Sequence, residues 1–125
     1  MALSDKDAES LLYVKNNNFD AATLVNTNKL TKSDQYLVKT STLEQIIKDY
    51  KINRVDLLKL DIEGSEYKVI KKGVKLIKSI VQRLIVEYHY TITSGSRKKI
   101  IDLMTANNFE LTFEHRHVLG FVNRA

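Results

Sequence analysis

The stretch Val55-Asp56-Leu57-Leu58-Lys59-Leu60-Asp61-Ile62-Glu63-Gly64-Ser65-Glu66 constrains this chain more than any other. It begins as an apolar run and then gathers acids at Asp61, Glu63 and Glu66 around Gly64. A helical pattern follows at once. A buried strand that opens into a charged, glycine-hinged turn before a helix is how open α/β sheets build ligand crevices.

The flanking segments supply the rest of such a sheet. Glu9 to Lys15 and Gln35 to Lys39 read as strands, and the polar, aperiodic segment from Asn16 to Asp34 reads as a long loop. Ser41-Thr42-Leu43-Glu44 matches a capping box, with the Ser41 hydroxyl on the third amide and Glu44 reaching back. The helix it opens carries Leu43, Ile46, Ile47 and Tyr50 at helical spacing. After Val55 to Asp61, a second helix carries Val69, Ile70, Val74, Ile77 and Ile80, with Gly73 expected to break or bend it. Arg83 to Tyr90 is again an apolar strand that turns polar at its end. Thr93 to Ser96 reads as a loop and Arg97 to Asn107 as a helix with Ile100, Ile101, Leu103 and Met104 inward. Phe109 to Glu114 and Val118 to Val122 close the chain as a hairpin through His115-Arg116-His117. Strands alternating with helices predict an α/β fold with a largely parallel sheet and an antiparallel element at its end.

Composition narrows the function classes. At 125 residues the chain makes one domain, and 43% apolar with 28% charged residues is ordinary globular usage. Without cysteine there is no disulfide, thiolate metal site or Cys nucleophile. No apolar run approaches the ~20 residues of a membrane span, and Met1 to Asp7 lacks the pattern of a signal peptide. A cytoplasmic location is expected. The net charge of +5 invites a nucleic-acid reading. Lys68, Lys71, Lys72, Lys75 and Lys78 instead fall largely on one solvated helix face, and no basic patch interleaved with aromatics appears.

The chemistry concentrates at two strand ends. If Val55 to Asp61 and Leu84 to Val86 are parallel neighbours, their C-terminal ends bring Asp61, Glu63, Glu87 and His89 to one rim. Carboxylates and an imidazole there can bind a divalent metal, act as general base or hold ligand hydroxyls. Glu63 and Glu66 also sit where any helix start favours negative charge. Asp61 ends an apolar strand with no local need for charge, which points to function. His89 reads equally well as a structural histidine, and His115 and His117 read as surface residues. No serine has a nucleophile-elbow setting, and neither a P-loop nor Gly-x-Gly-x-x-Gly is present.

Asp56-Leu57-Leu58-Lys59-Leu60-Asp61-Ile62-Glu63-Gly64-Ser65-Glu66 closely resembles the signature of the FkbM family of S-adenosylmethionine-dependent methyltransferases. Val69 to Gly73 follows the family's next segment with one extra residue. Three further stretches are similar in order and spacing: Ala2-Leu3-Ser4-Asp5, Val38 to Leu43 (with Glu44 where the family has Asp), and Ile85-Val86-Glu87-Tyr88-His89. The resemblance implies a truncated, Rossmann-like class I methyltransferase fold, with residues 1–125 as the C-terminal portion of one domain. It implies S-adenosylmethionine as cofactor and O-methylation of a sugar, polyketide or other small hydroxylated molecule. Asp61, Glu63, Glu87 and His89 become the catalytic candidates. Asp61 would lie near the methyl donor and acceptor, and Asp5 near the adenine end.

In that family the glycine-rich cofactor loop precedes the turn at which this chain starts, so the loop is expected to be missing. Strand 55–61, apolar enough for burial on both faces, is then an exposed hydrophobic edge. It is expected to pair with a second copy or with a separate N-terminal half. A methyltransferase thus stands beside an alternative, a non-enzymatic remnant that serves as a binding or assembly module.

Overall fold

Among the residues that the computed structural model describes (1–15, 18–26, 34–89 and 95–125), eight strands and three helices form. In chain order they are β1 (Ala2–Leu3), β2 (Ala8–Lys15), β3 (Asn18–Thr23), β4 (Gln35–Ser41), α1 (Leu43–Asp49), β5 (Leu58–Leu60), α2 (Glu66–Ile80), β6 (Arg83–Glu87), α3 (Ser96–Thr105), β7 (Phe109–His115) and β8 (Val118–Asn123). The sequence-expected strand residue Tyr90, the loop positions Thr93 and Ser94, and parts of the segment from Asn16 to Asp34 fall outside the described residues.

The strands make two four-stranded mixed sheets, ordered β1-β4-β2-β3 and β5-β6-β8-β7. Only β1 with β4 and β5 with β6 pair in parallel among these strands, so the expectation of a largely parallel sheet is corrected. β2 runs antiparallel to both β3 and β4, and β8 inserts antiparallel between β6 and β7. The short connection from β7 to β8 passes through Arg116, whose φ is 53°, and two strands joined by a short turn can only run antiparallel. Since β8 opposes both β6 and β7, the strands β5, β6 and β7 still share one direction.

Strand β3 corrects the reading of Asn16 to Asp34 as loop: Asn18–Thr23 pairs with β2, Tyr13 opposite Thr23 and Lys15 opposite Asn18. Its apolar residues lack strict alternation, so a partner strand rather than local pattern defines it. The capping box also shifts by one residue. Thr42 is the N-cap of α1 and accepts from the Gln45 amide at 3.2 Å, while Ser41 ends β4 and donates to Asp7 Oδ1 at 3.0 Å. Helix α2 runs through Gly73 unbroken. That glycine is buried beside Leu43, whose Cδ2 would lie 3.6 Å from an added Cβ, an ordinary contact distance.

The main core lies between the second sheet and its helices. Leu60, Leu84, Val86, Leu119 and Phe121 supply the sheet face, and Val69, Ile70, Ile77, Ile100 and Met104 cover it. Residues 69, 70, 73 and 77 line one face of α2, whereas Lys68, Lys71, Lys72 and Lys75 are exposed on the other. The far end of α2 is closed by Asn123, whose Nδ2 donates to the Lys78 and Val81 carbonyls at 2.9 and 2.8 Å. Strand β5 is shorter than the stretch 55–61: before it the chain makes only an isolated parallel bridge, Val55 with Val81. Leu58 and Leu60 are covered on one face, whereas Leu57 is 53% exposed and Lys59 is exposed on the other, so the expected burial on both faces is corrected to burial on one. Among the described residues no helix is long and apolar enough to cross a membrane.

Candidate functional site at the ends of β5 and β6

Parallel pairing of Leu58 with Leu84 and Leu60 with Val86 brings the next residues, Asp61 and Glu87, to the same end of the sheet. Beyond Asp61 the chain turns sharply. Glu63 and Gly64 hold φ values of 51° and 102°, a left-handed pair that glycine tolerates and glutamate adopts only under constraint. One constraint comes from β3, where the Thr23 hydroxyl donates to the Glu63 carbonyl. The other comes from Glu66, the first residue of α2. Its carboxylate accepts the Ile62 and Gly64 amides, both at 3.1 Å.

Glu66 is only 1% exposed. A buried carboxylate needs several donors to stay charged, and here they are two backbone amides and an imidazole: His89 Nδ1 lies 2.9 Å from Glu66 Oε1. This contact holds the ring in one orientation. Its other nitrogen, Nε2, then points to Glu63 Oε1 at 3.3 Å and to Asp61 Oδ1 at 3.8 Å. Lys59 Nζ approaches Asp61 Oδ2 at 3.8 Å from the exposed side. Glu87 completes the group, since Asp61, Glu87 and His89 each place one ligand atom within 4.8 Å of the others.

Four carboxylates thus surround one imidazole. Burial pushes the Glu63 carboxyl above its ordinary value of 4.5; His89 opposes that shift, and Asp61, Glu66 and Glu87 add to it. Asp61 and Glu63 open onto a cavity of 240 Å³ walled by Leu3, Leu12, Phe19 and Ile62. A larger hollow of 630 Å³ lies beside the cluster, over the start of α2, and Asp5 lines it together with Gly64, Tyr67 and Lys68. At its far side Lys71 and Lys99 each hold Nζ about 5.9 and 5.8 Å from the Tyr67 ring centre.

The structure therefore gathers Asp61, Glu63, Glu87 and His89 into one cluster and places Asp5 on the neighbouring hollow. His115 and His117 sit at the exposed β7–β8 turn, with His117 edge-on to Tyr88 at 5.5 Å. Thr23 carried no signal that the sequence could offer. Glu66 did carry one, an acid at a helix start, but that signal fits any solvated first-turn glutamate.

An α/β chain whose carboxylates and imidazole converge at adjoining parallel strand ends, next to a helix N-terminus, has the layout of a strand-end ligand crevice. Residues 1–122 match the methyltransferase FkbM domain family, and the chain belongs to that family. Neither the curated proteins nor the solved structures yield a match.

Proposed function

We propose that this chain is an S-adenosylmethionine-dependent methyltransferase of FkbM type, acting in the cytoplasm on a sugar or other small hydroxylated acceptor. The carrying observation is the convergence of Asp61, Glu63, Glu87 and His89 in a member of a methyltransferase family. The donor set fits the cofactor's charge: a cluster with excess carboxylate favours a positively charged sulfonium. When bound, S-adenosylmethionine supplies an electrophilic methyl group on that sulfur. Asp5 is assigned to the adenine end and Asp61 to the reacting end.

The chain's own part is to hold and deprotonate the acceptor. Its hydroxyl lies against Asp61 and Glu63, where the 240 Å³ cavity meets the cluster. The Glu63 carboxylate would take the proton of that hydroxyl as the oxygen is methylated. His89, oriented by Glu66, keeps the two carboxylates in place.

Among the described residues no strand pairs with the other side of β5, which supports completion of the cofactor site by another polypeptide segment or a second copy. Transfer of radiolabelled methyl from S-adenosylmethionine to hydroxylated acceptors tests the proposal. Asp61→Ala should abolish transfer with little change in melting temperature, because Asp61 is partly exposed and its closest charged contacts lie at 3.8 Å. A large loss of stability would mark Asp61 as structural. Calorimetry showing no binding of millimolar S-adenosylmethionine would favour the binding-module alternative.

A further inference from the structure

His89 Nδ1 faces Glu66, and Nε2 faces Glu63 Oε1 at 3.3 Å and Asp61 Oδ1 at 3.8 Å. Four carboxylates gathered around one imidazole carry excess negative charge, so a positive species is favoured among them. Lys59 cannot fill that place, since its ammonium is exposed and approaches the other Asp61 oxygen.

The neighbouring atoms suit a metal ion. Asp61, Glu87 and His89 come from the ends of two adjacent strands, and one atom of each lies within 4.8 Å of the others. Ligands about 2.1 Å from one ion are separated by up to about 4.2 Å, so small side-chain adjustments close the set. The buried Glu66 stands where a metal-bound histidine needs support, 2.9 Å from the far ring nitrogen, and fixes the ring's orientation. Two carboxylates with one imidazole favour a divalent ion that accepts mixed oxygen and nitrogen donors, and the adjoining cavity leaves room for further oxygen ligands.

We propose that Asp61, Glu87 and His89 bind one divalent cation of the Mn²⁺ class, with Glu66 as the positioning residue for His89. The ion's role, polarising the acceptor hydroxyl beside Glu63, rests on the methyltransferase reading; its binding does not.

Titration of the wild-type chain with Mn²⁺, followed by electron paramagnetic resonance without methyl donor or acceptor, tests binding directly. One saturable site is expected. His89→Gln and Asp61→Asn should each weaken it at least tenfold, and Glu66→Gln by about 10- to 100-fold. Asp102→Asn, which removes a carboxylate paired with Lys98 on exposed α3, should leave it unchanged. Should a variant fail to fold, the wild-type NMR spectrum decides: substoichiometric Mn²⁺ should first broaden the amides of residues 60–66 and 84–89. No saturation, broadening that begins at Asp56 or Glu110, or equal affinity in His89→Gln overturns the proposal. Because no methyl transfer is involved, that result is separable from failure of the enzymatic reading.

Discussion

Glu66 occupies a position where any acid gains from the helix dipole, yet its burial gives it a different task. Its carboxylate ties the Ile62 and Gly64 amides to the His89 ring, so it shapes the turn that presents Asp61 and Glu63. Asp7 does comparable work in the first sheet. It accepts from the Thr42 amide at 2.9 Å and from the Ser41 hydroxyl at 3.0 Å, joining the chain after β1 to the start of α1. The Thr42 amide is the main reason that its carboxyl is held below the ordinary 3.8, with both hydroxyls and Lys72 adding to the effect against some desolvation. A depressed folded value contributes stability above pH 3.8 and loses it as pH falls through the lower folded value. Asp7→Asn should therefore be less stable than wild type in urea at pH 7. The gap should narrow as pH falls below 3.8 and protonates Asp7, which then carries a neutral side chain as Asn does.

Among the elements, the helices were readable because their signal is local. Three-to-four spacing predicts the buried face of α2 at Val69, Ile70 and Ile77, and the Asn107-Asn108 stop lies just past α3. Gly73 shows the limit of local reading. Propensity marks it as a break, whereas the packing of Leu43 makes it a contact point within a continuous helix. An added methyl would meet Leu43 and Ile77 at 3.6 and 3.8 Å, ordinary contact distances. Gly73→Ala should thus stabilise the chain by up to about 1 kcal/mol through helix propensity, read as a raised urea midpoint. A lowered midpoint would show that α1 has no room to give.

At the scale of the whole molecule, β5 has β6 on one side and, among the described residues, no strand on the other. Its apolar run continues outward to Leu57, which is 53% exposed. Such an edge is a template for pairing with another strand. The proposal of self-association there predicts concentration-dependent sedimentation of the wild-type chain, weakened by Leu57→Lys. A monodisperse monomer at high concentration, with amides from Val55 to Asp61 already protected from exchange, would exclude it.

By itself the sequence placed Asp61, Glu63, Glu87 and His89 at the ends of strongly apolar runs, and so toward one rim of the sheet. It also determined the family, through a motif whose order and spacing are specific. Tertiary structure decided the strand directions, since pairing is non-local: β3 exists through its pairing with β2, and β8 inserts between β6 and β7. It likewise decided which acid serves which purpose. Glu66 and Glu63 belong to one short motif, but only burial and the His89 ring separate the carboxylate that builds the turn from those that face the cavity.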